Sequence, residues 1–319
     1  MSAMRLALND RAATLAEAMA AEAAHLRIAV STVGGARVLD CGVNTDGSLE
    51  AGRRLAEVCL AGLASVSITS CDLDGLWLPA VEIATDHPVA ACLASQYAGW
   101  SIEADGYRAM GSGPARALAR AERELFAKID GDTGDRAVLV LEARALPTDR
   151  VVAVVAERCG VRPTNLVILV APTASVAGCV QIAARSVETT LHKMLALSFD
   201  PHQVRSGIGL APIAPVAGND LQAIGWTNDC ILYGARAWLA VNAADDVLAA
   251  LIGQLPASAS ADYGVPFAEL FERYGRDFYK IDPLLFSPAQ VSLNNLASGR
   301  VHSAGRVDAG ILRTSLGLR

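Results

Sequence analysis

Two short runs constrain this chain most: Ala137 to Glu142 and Leu166 to Val170 are apolar almost throughout, with an amphipathic stretch, Thr148 to Cys159, between them. A strand buried on both faces reads as a continuous apolar run, whereas a half-exposed one alternates. The stretch between has helical spacing and ends at Gly160, a residue suited to the left-handed turn that closes a helix. Strand, helix and strand in this order form a crossover unit, which predicts parallel pairing and helices packed over the sheet.

Around this unit the pattern mixes both structure types. Helices are expected over Leu6 to Ala24, Leu49 to Leu63, His87 to Gln96 and Gly178 to Leu197. Strands are expected over Arg27 to Val33 and Arg37 to Cys41, joined by a hairpin at Gly34-Gly35. Others are expected over Ala64 to Ser70, Trp77 to Ala84 and Tyr97 to Glu103. The last third alternates Gly-, Pro- and Asn-rich loops with short elements, and no linker or sharp boundary is visible. The class is α/β in the mixed α+β sense. At 319 residues the chain exceeds what one ordinary core organises, so two domains or one large intertwined unit are expected.

Composition narrows the function classes. Charged residues are 19% and the net charge is −6, with no basic block, which argues against nucleic acid and anionic membrane surfaces as partners. Mean hydropathy is +0.33, high enough to suggest apolar surface buried between subunits of a homo-oligomer. The uncharged run Leu166 to Ala184 contains Pro172, Ser175 and Gly178, so it reads as strand, turn and helix entry rather than a membrane span. The N-terminus lacks the uninterrupted apolar core of a secretory signal, and a cytoplasmic location is expected. Seven scattered cysteines without a C-x-x-C pair suggest neither a disulfide framework nor a structural zinc site. The five histidines include no H-x-x-x-H pair, so no metal is expected.

Several motifs could carry chemistry. Met110-Gly-Ser-Gly-Pro-Ala-Arg-Ala-Leu118 is a glycine turn feeding a helix, readable as a structural turn or as an anion site. Arg116 stands where a dinucleotide fingerprint would have its third glycine, which disfavours nucleotide binding. Arg185, Glu188 and His192 share one helix face. That pattern is commonly a surface ion pair of small value, but a carboxylate in so apolar a setting could also be tuned for proton transfer. Asn228-Asp229 and Phe286 to Gln290 set polar groups inside apolar runs, as caps or as orienting groups of a pocket. Glu50 to Leu60 also echoes Gln181 to Leu191 without a gap, placing Arg54 and Glu57 opposite Arg185 and Glu188, which raises an internal duplication.

Taken in order, these segments resemble the methenyltetrahydromethanopterin cyclohydrolase family. The resemblance is carried by Glu50-Ala-Gly with Ala-Glu-Val-Cys-Leu60, by Gly111-Ser-Gly-Pro-Ala-Arg116, and by Ala171-Pro-Thr-Ala-Ser175 through Glu188-Thr. It continues in Ala211-Pro-Ile-Ala-Pro215, Thr227-Asn-Asp-Cys-Ile-Leu-Tyr233, Asp262-Tyr-Gly264 and the run from Asp277 to Gln290. The resemblance implies one cyclohydrolase unit over residues 1–319, made of two similar, intertwined subdomains with a substrate pocket between them and assembled as a trimer. It implies a pterin substrate, no metal or redox cofactor, and hydrolysis of 5,10-methenyl-tetrahydromethanopterin to the 5-formyl compound, in formaldehyde oxidation or methanogenesis. A non-catalytic pterin carrier and a folate cyclohydrolase are the alternatives. The family's catalytic arginine and glutamate fall on Arg185 and Glu188, with His192 as a possible supporting partner. The matching stretches supply Gly111, Ser112, Gly113, Arg116, Thr173, Ser175, Asn228, Asp229, Phe286 and Gln290 as substrate-binding candidates.

Overall fold

A computed structural model describes residues 6–277 and 280–318. Phe278 and Tyr279, part of the last motif carrying the resemblance, lie outside the described residues, as do residues 1–5 and Arg319. The chain divides into two compact units and passes between them repeatedly. Residues 1–64 and 90–178 form the first, 65–89 and 179–319 the second.

The first unit is a helix–sheet–helix sandwich. Its strands are β1 (Ala29–Val33), β2 (Ala36–Asp40), β5 (Trp100–Ala104), β6 (Tyr107–Ser112), β7 (Ala137–Glu142) and β8 (Leu166–Val170), in the order β1-β2-β8-β7-β6-β5. The three central strands run parallel, with Leu39 opposite Leu169 and Val138 opposite Val167. The expected crossover is therefore present: α5 (Asp149–Cys159) joins β7 to β8 and closes on Gly160 in the left-handed conformation. Successive residues point to opposite faces, so two cores form. Leu39, Val138, Val140 and Leu169 meet α1 (Leu8–Ala21) and α3 (Leu49–Cys59), while Val38, Leu139, Leu141 and Ile168 meet α5. The Gly34-Gly35 hairpin forms as expected, with both glycines at positive φ and Val33 paired to Ala36.

The second unit has the strands β3 (Ala64–Leu73), β4 (Leu76–Thr85), β9 (Val204–Pro212), β10 (Arg236–Val241), β11 (Gln290–Asn295) and β12 (Val301–Gly305). Their order is β12-β11-β10-β9-β4-β3. Both units hold six strands, yet the pairings differ. Central β8 and β7 are parallel, whereas β10 and β9 in the corresponding place are antiparallel. Helices of this unit include α7 (Ser186–Ala196), α8 (Asp220–Leu232), α9 (Asp245–Ile252), α10 (Phe267–Arg273) and α11 (Ala309–Leu316); in the first unit the short α2 (Ala23–Leu26) follows α1.

Three elements depart from the sequence pattern. The expected helix over 87–96 is a π-helix, Val89–Gln96. The expected continuous helix over 178–197 is broken into α6 (Val176–Ala183) and α7, with Ala184 and Arg185 between. Strand β5 also begins at Trp100, three residues later than expected. Among the described residues no helix is long and apolar enough to cross a membrane.

Candidate active site

The break after α6 gives Glu188 its setting. At the break the Arg185 N–H turns back to the Ile182 carbonyl, and a new helix starts at Ser186 with Glu188 in its first turn. Backbone N–H groups at a helix start point outward and favour negative charge nearby. The placement follows from β9. An added Cβ on Gly207 would come within 2.9 Å of Val187 Cγ1, and one on Gly209 within 2.1 Å of Ser186 Oγ. The bare backbone of β9 therefore lets the first turn of α7 settle directly on the sheet.

Arg185 and Glu188 are 8% and 4% exposed. The Arg185 Nη1 lies 3.7 Å from Glu188 Oε2, too far for a direct hydrogen bond, while Nη2 donates to Gln181 Oε1 at 3.1 Å. This is not the surface ion pair that the spacing alone would suggest. The guanidinium is near enough to attract the carboxylate electrostatically, and Gln181 draws one of its donors aside. His192, one turn further along α7, is half-buried.

The remaining candidates are distributed among several roles. Arg116 is fully buried and its guanidinium is committed within the first unit. It makes a two-pronged bond to Glu122 at 2.8 and 2.7 Å, and Nη1 donates to the Leu93 and Ser95 carbonyls at the end of the π-helix. It also lies over the Tyr97 ring. Its donors are engaged inside the fold, as an internal clasp. The glycine turn behaves similarly. The Gly113 N–H donates to the Ser95 carbonyl, Ser112 Oγ lies 3.6 Å from Cys59 Sγ, and the helix after the turn, α4, spans only Ala115–Ala119. Gly111 pairs with Trp100 of β5, whose carbonyl an added Cβ would approach to 3.1 Å.

Thr173 and Ser175 occupy the loop after β8. Ser175 Oγ accepts from the Gly178 N–H and so caps α6, while Thr173 donates its hydroxyl to Glu142 Oε1 at the end of β7. Asp40 ends the neighbouring parallel strand β2. Burial opposes charge on it, but the N–H groups of Gly42, Asn44 and Val43 outweigh that and hold its carboxyl below the ordinary range. Asp40, Glu142 and Thr173 thus stand at the carboxyl ends of three adjacent parallel strands, where open α/β sheets commonly bind ligands. Glu142 and Asp40 escaped the sequence reading; an acidic residue closing each apolar run was the available signal.

Asn228 and Asp229 part company on α8. Asn228 donates back to the Ile224 carbonyl. Asp229 is fully buried and accepts from the Phe267 N–H and the Ser315 hydroxyl, tying α8 to α10 and α11. Burial raises its pKa to about 7, against the pull of those two bonds. Asp229 is thus a tie between helices. Phe286 packs at 5.8 Å from Phe267, and Gln290 opens β11 with its N–H on the Ala235 carbonyl. A further ionisable group, Lys193 on α7, is buried and donates to the Pro256 carbonyl at 2.8 Å. Burial lowers its pKa to about 8.

The echo between Glu50–Leu60 and Gln181–Leu191 does not carry equivalent pairs. Arg54 bridges Glu22 and Glu50, and Arg53, not Arg54, meets Glu57. Among the described residues no three His, Cys, Asp or Glu side chains group as metal ligands would.

A buried arginine–glutamate pair at a helix start, on an interleaved two-sheet α/β chain, suits an enzyme that moves protons with a carboxylate. The chain belongs to the family described as cyclohydrolase (MCH), whose model matches residues 7–316. Its relatives include the methenyltetrahydromethanopterin cyclohydrolase of Methanocaldococcus jannaschii, 44% identical over 318 residues, which span 98% of each chain. That of Methanococcoides burtonii is 46% identical over 287 residues, 89% of this chain and 90% of the other. That of a Methylobacterium species is 46% identical over 310 residues, 95% of each.

Proposed function

We propose that this protein reversibly hydrolyses 5,10-methenyl-tetrahydromethanopterin to 5-formyl-tetrahydromethanopterin, with Glu188 as general base and then general acid and Arg185 positioning it. The observation that carries the mechanism is the buried pair at 3.7 Å with Gln181 holding the other arm of the guanidinium.

The chemistry asks little beyond a well-placed carboxylate. The methenyl carbon sits between two nitrogens in a delocalised cation and is already electrophilic. Glu188 takes a proton from water as the oxygen–carbon bond forms. It then returns that proton to one nitrogen as the nitrogen–carbon bond breaks and the carbonyl forms. Of the two water protons, one ends on that nitrogen and the other leaves to solvent. The carbon keeps its oxidation level, so the reaction requires no electron acceptor, and we assign no metal or redox cofactor. At 3.7 Å the Arg185 guanidinium is placed to orient the carboxylate.

The enzyme works as a cytoplasmic homotrimer in one-carbon metabolism on this reading, with mean hydropathy of +0.33 supporting subunit burial. The test is to add purified protein to methenyl-tetrahydromethanopterin and, separately, to methenyltetrahydrofolate, following loss of methenyl absorbance. Faster decay of the methanopterin compound than in buffer, with little effect on the folate, is the expected result. Binding without accelerated decay would overturn it.

A further inference from the structure

The first unit holds a cavity of about 440 Å³ at the end of its sheet where the parallel strands begin. Arg37, Arg136 and Arg162 line it with the carboxylates Glu17 and Asp135, together with Thr32, Thr164 and Asn165. Arg37 is the second residue of β2 and stands opposite both Thr32 of β1 and Val167 of β8, so those three form one row across the sheet. Asp40, which closes the same strand, lies at the other end of the sheet with Glu142 and Thr173. The cavity and that acidic cluster therefore occupy opposite ends of one short sheet.

Charge within the cavity is unevenly compensated. Arg136 is bound to Glu17 of α1, and the Asp135 carbonyl accepts from Asn165 Nδ2. Neither Arg37 nor Arg162 has a carboxylate partner among the described residues. With Arg136 and Glu17 paired, Arg37 and Arg162 face the recess against one carboxylate, Asp135, so its lining is net positive in a chain whose net charge is −6. The excess positive charge of the lining would be offset by a bound anion. Guanidinium forks match the oxygens of a phosphoryl group, and the hydroxyls and amide beside them suit neutral oxygens of the same ligand. The recess is also in the size range of small-metabolite sites.

We propose that this recess binds a small phosphorylated anion through Arg37 and Arg162. The group recognised is the phosphoryl group, whether free as an inorganic anion or borne on a sugar. Neither guanidinium belongs to the proposed catalytic machinery, so the site is testable whether or not the hydrolytic reading holds.

The experiment is calorimetric titration of the full chain with inorganic pyrophosphate and, separately, with glucose 6-phosphate, at fixed ionic strength. Wild type, Arg37→Gln, Arg162→Gln and the double variant are compared. Saturable binding should weaken about tenfold for each guanidinium removed and vanish in the double variant. Tighter binding of pyrophosphate assigns the site to the free anion, and tighter binding of the sugar ester to a phosphorylated metabolite. Absence of saturable binding of both probes up to about 5 mM would overturn the proposal, as would equal affinity in the double variant. Both positions are exposed, and circular dichroism of each variant verifies that the fold is kept.

Discussion

Gly209→Ala tests how the sheet positions the candidate catalytic pair. The added methyl would sit 2.1 Å from Ser186 Oγ, 3.0 Å from Val187 Cγ2 and 3.2 Å from Ser186 Cβ. An ordinary contact needs about 3.4 Å or more, so over an ångström must be found. Turning the Ser186 hydroxyl clears only the first contact. The other two press on the first turn of α7, which has the sheet beneath it. Overpacking of this kind costs about 1–3 kcal/mol. Its effect on rate should be larger, since Arg185 and Glu188 ride on that turn and a misplacement of about 1 Å can cost 10²-fold. Unfolding in denaturant measures the first quantity, and decay of the methenyl absorbance the second. The second-site change Ser186→Gly removes two of the three close contacts and should recover much of both losses. A Gly209→Ala protein with wild-type stability and kcat/KM would refute the reasoning. So would a double variant no better than the single one.

Other consequences concern charge. Arg185→Ala should raise KM and lower kcat together in steady-state kinetics, because the proposed mechanism has the guanidinium position Glu188 beside the bound substrate; an unchanged profile would reduce it to packing. Arg116→Met should destabilise the first unit by about 3 kcal/mol or more in denaturant unfolding, since Glu122 and three carbonyls lose a buried cation. Asp229 has a folded pKa of about 7, raised from 3.8, so the folded state holds the extra proton between these values. Its contribution to stability is present below pH 4 and lost as pH rises through 7, and Asp229→Asn should remove this slope from stability measured across pH 4–8. Lys193 is the opposite case, with its pKa lowered from 10.5 to about 8. The unfolded chain binds the additional proton between those values, so stability should rise from pH 8 to 10.5, and the wild-type minus Lys193→Met difference should show that rise.

The first sheet was largely legible because its central strands are buried on both faces. Burial left the apolar runs 137–142 and 166–170, and the helix between them keeps helical spacing. The second sheet was much less so. β11 reads Gln-Val-Ser-Leu-Asn-Asn and β9 carries Gly207 and Gly209, giving neither a long apolar run nor strong strand formers. The break before α7 was hidden for a related reason. Residues 178–197 keep a helical pattern throughout, and the interruption lies where Ser186 and Val187 pack on the glycines of a strand some twenty residues later. The candidate pair itself was visible as a spacing, but its burial was not. Arg116 shows the converse: an arginine in an alanine-rich helix looks available, and only the fold reveals Glu122 waiting for it.

The central claim is that Glu188 moves the protons of hydrolysis. Glu188→Gln keeps the shape of the side chain and removes its capacity to take a proton. The decisive measurement is the rate at which methenyl-tetrahydromethanopterin absorbance decays with this variant at saturating substrate. The account predicts a fall in kcat of about 10²-fold or more with substrate binding retained. A variant that hydrolyses the methenyl compound at near the wild-type rate would contradict it.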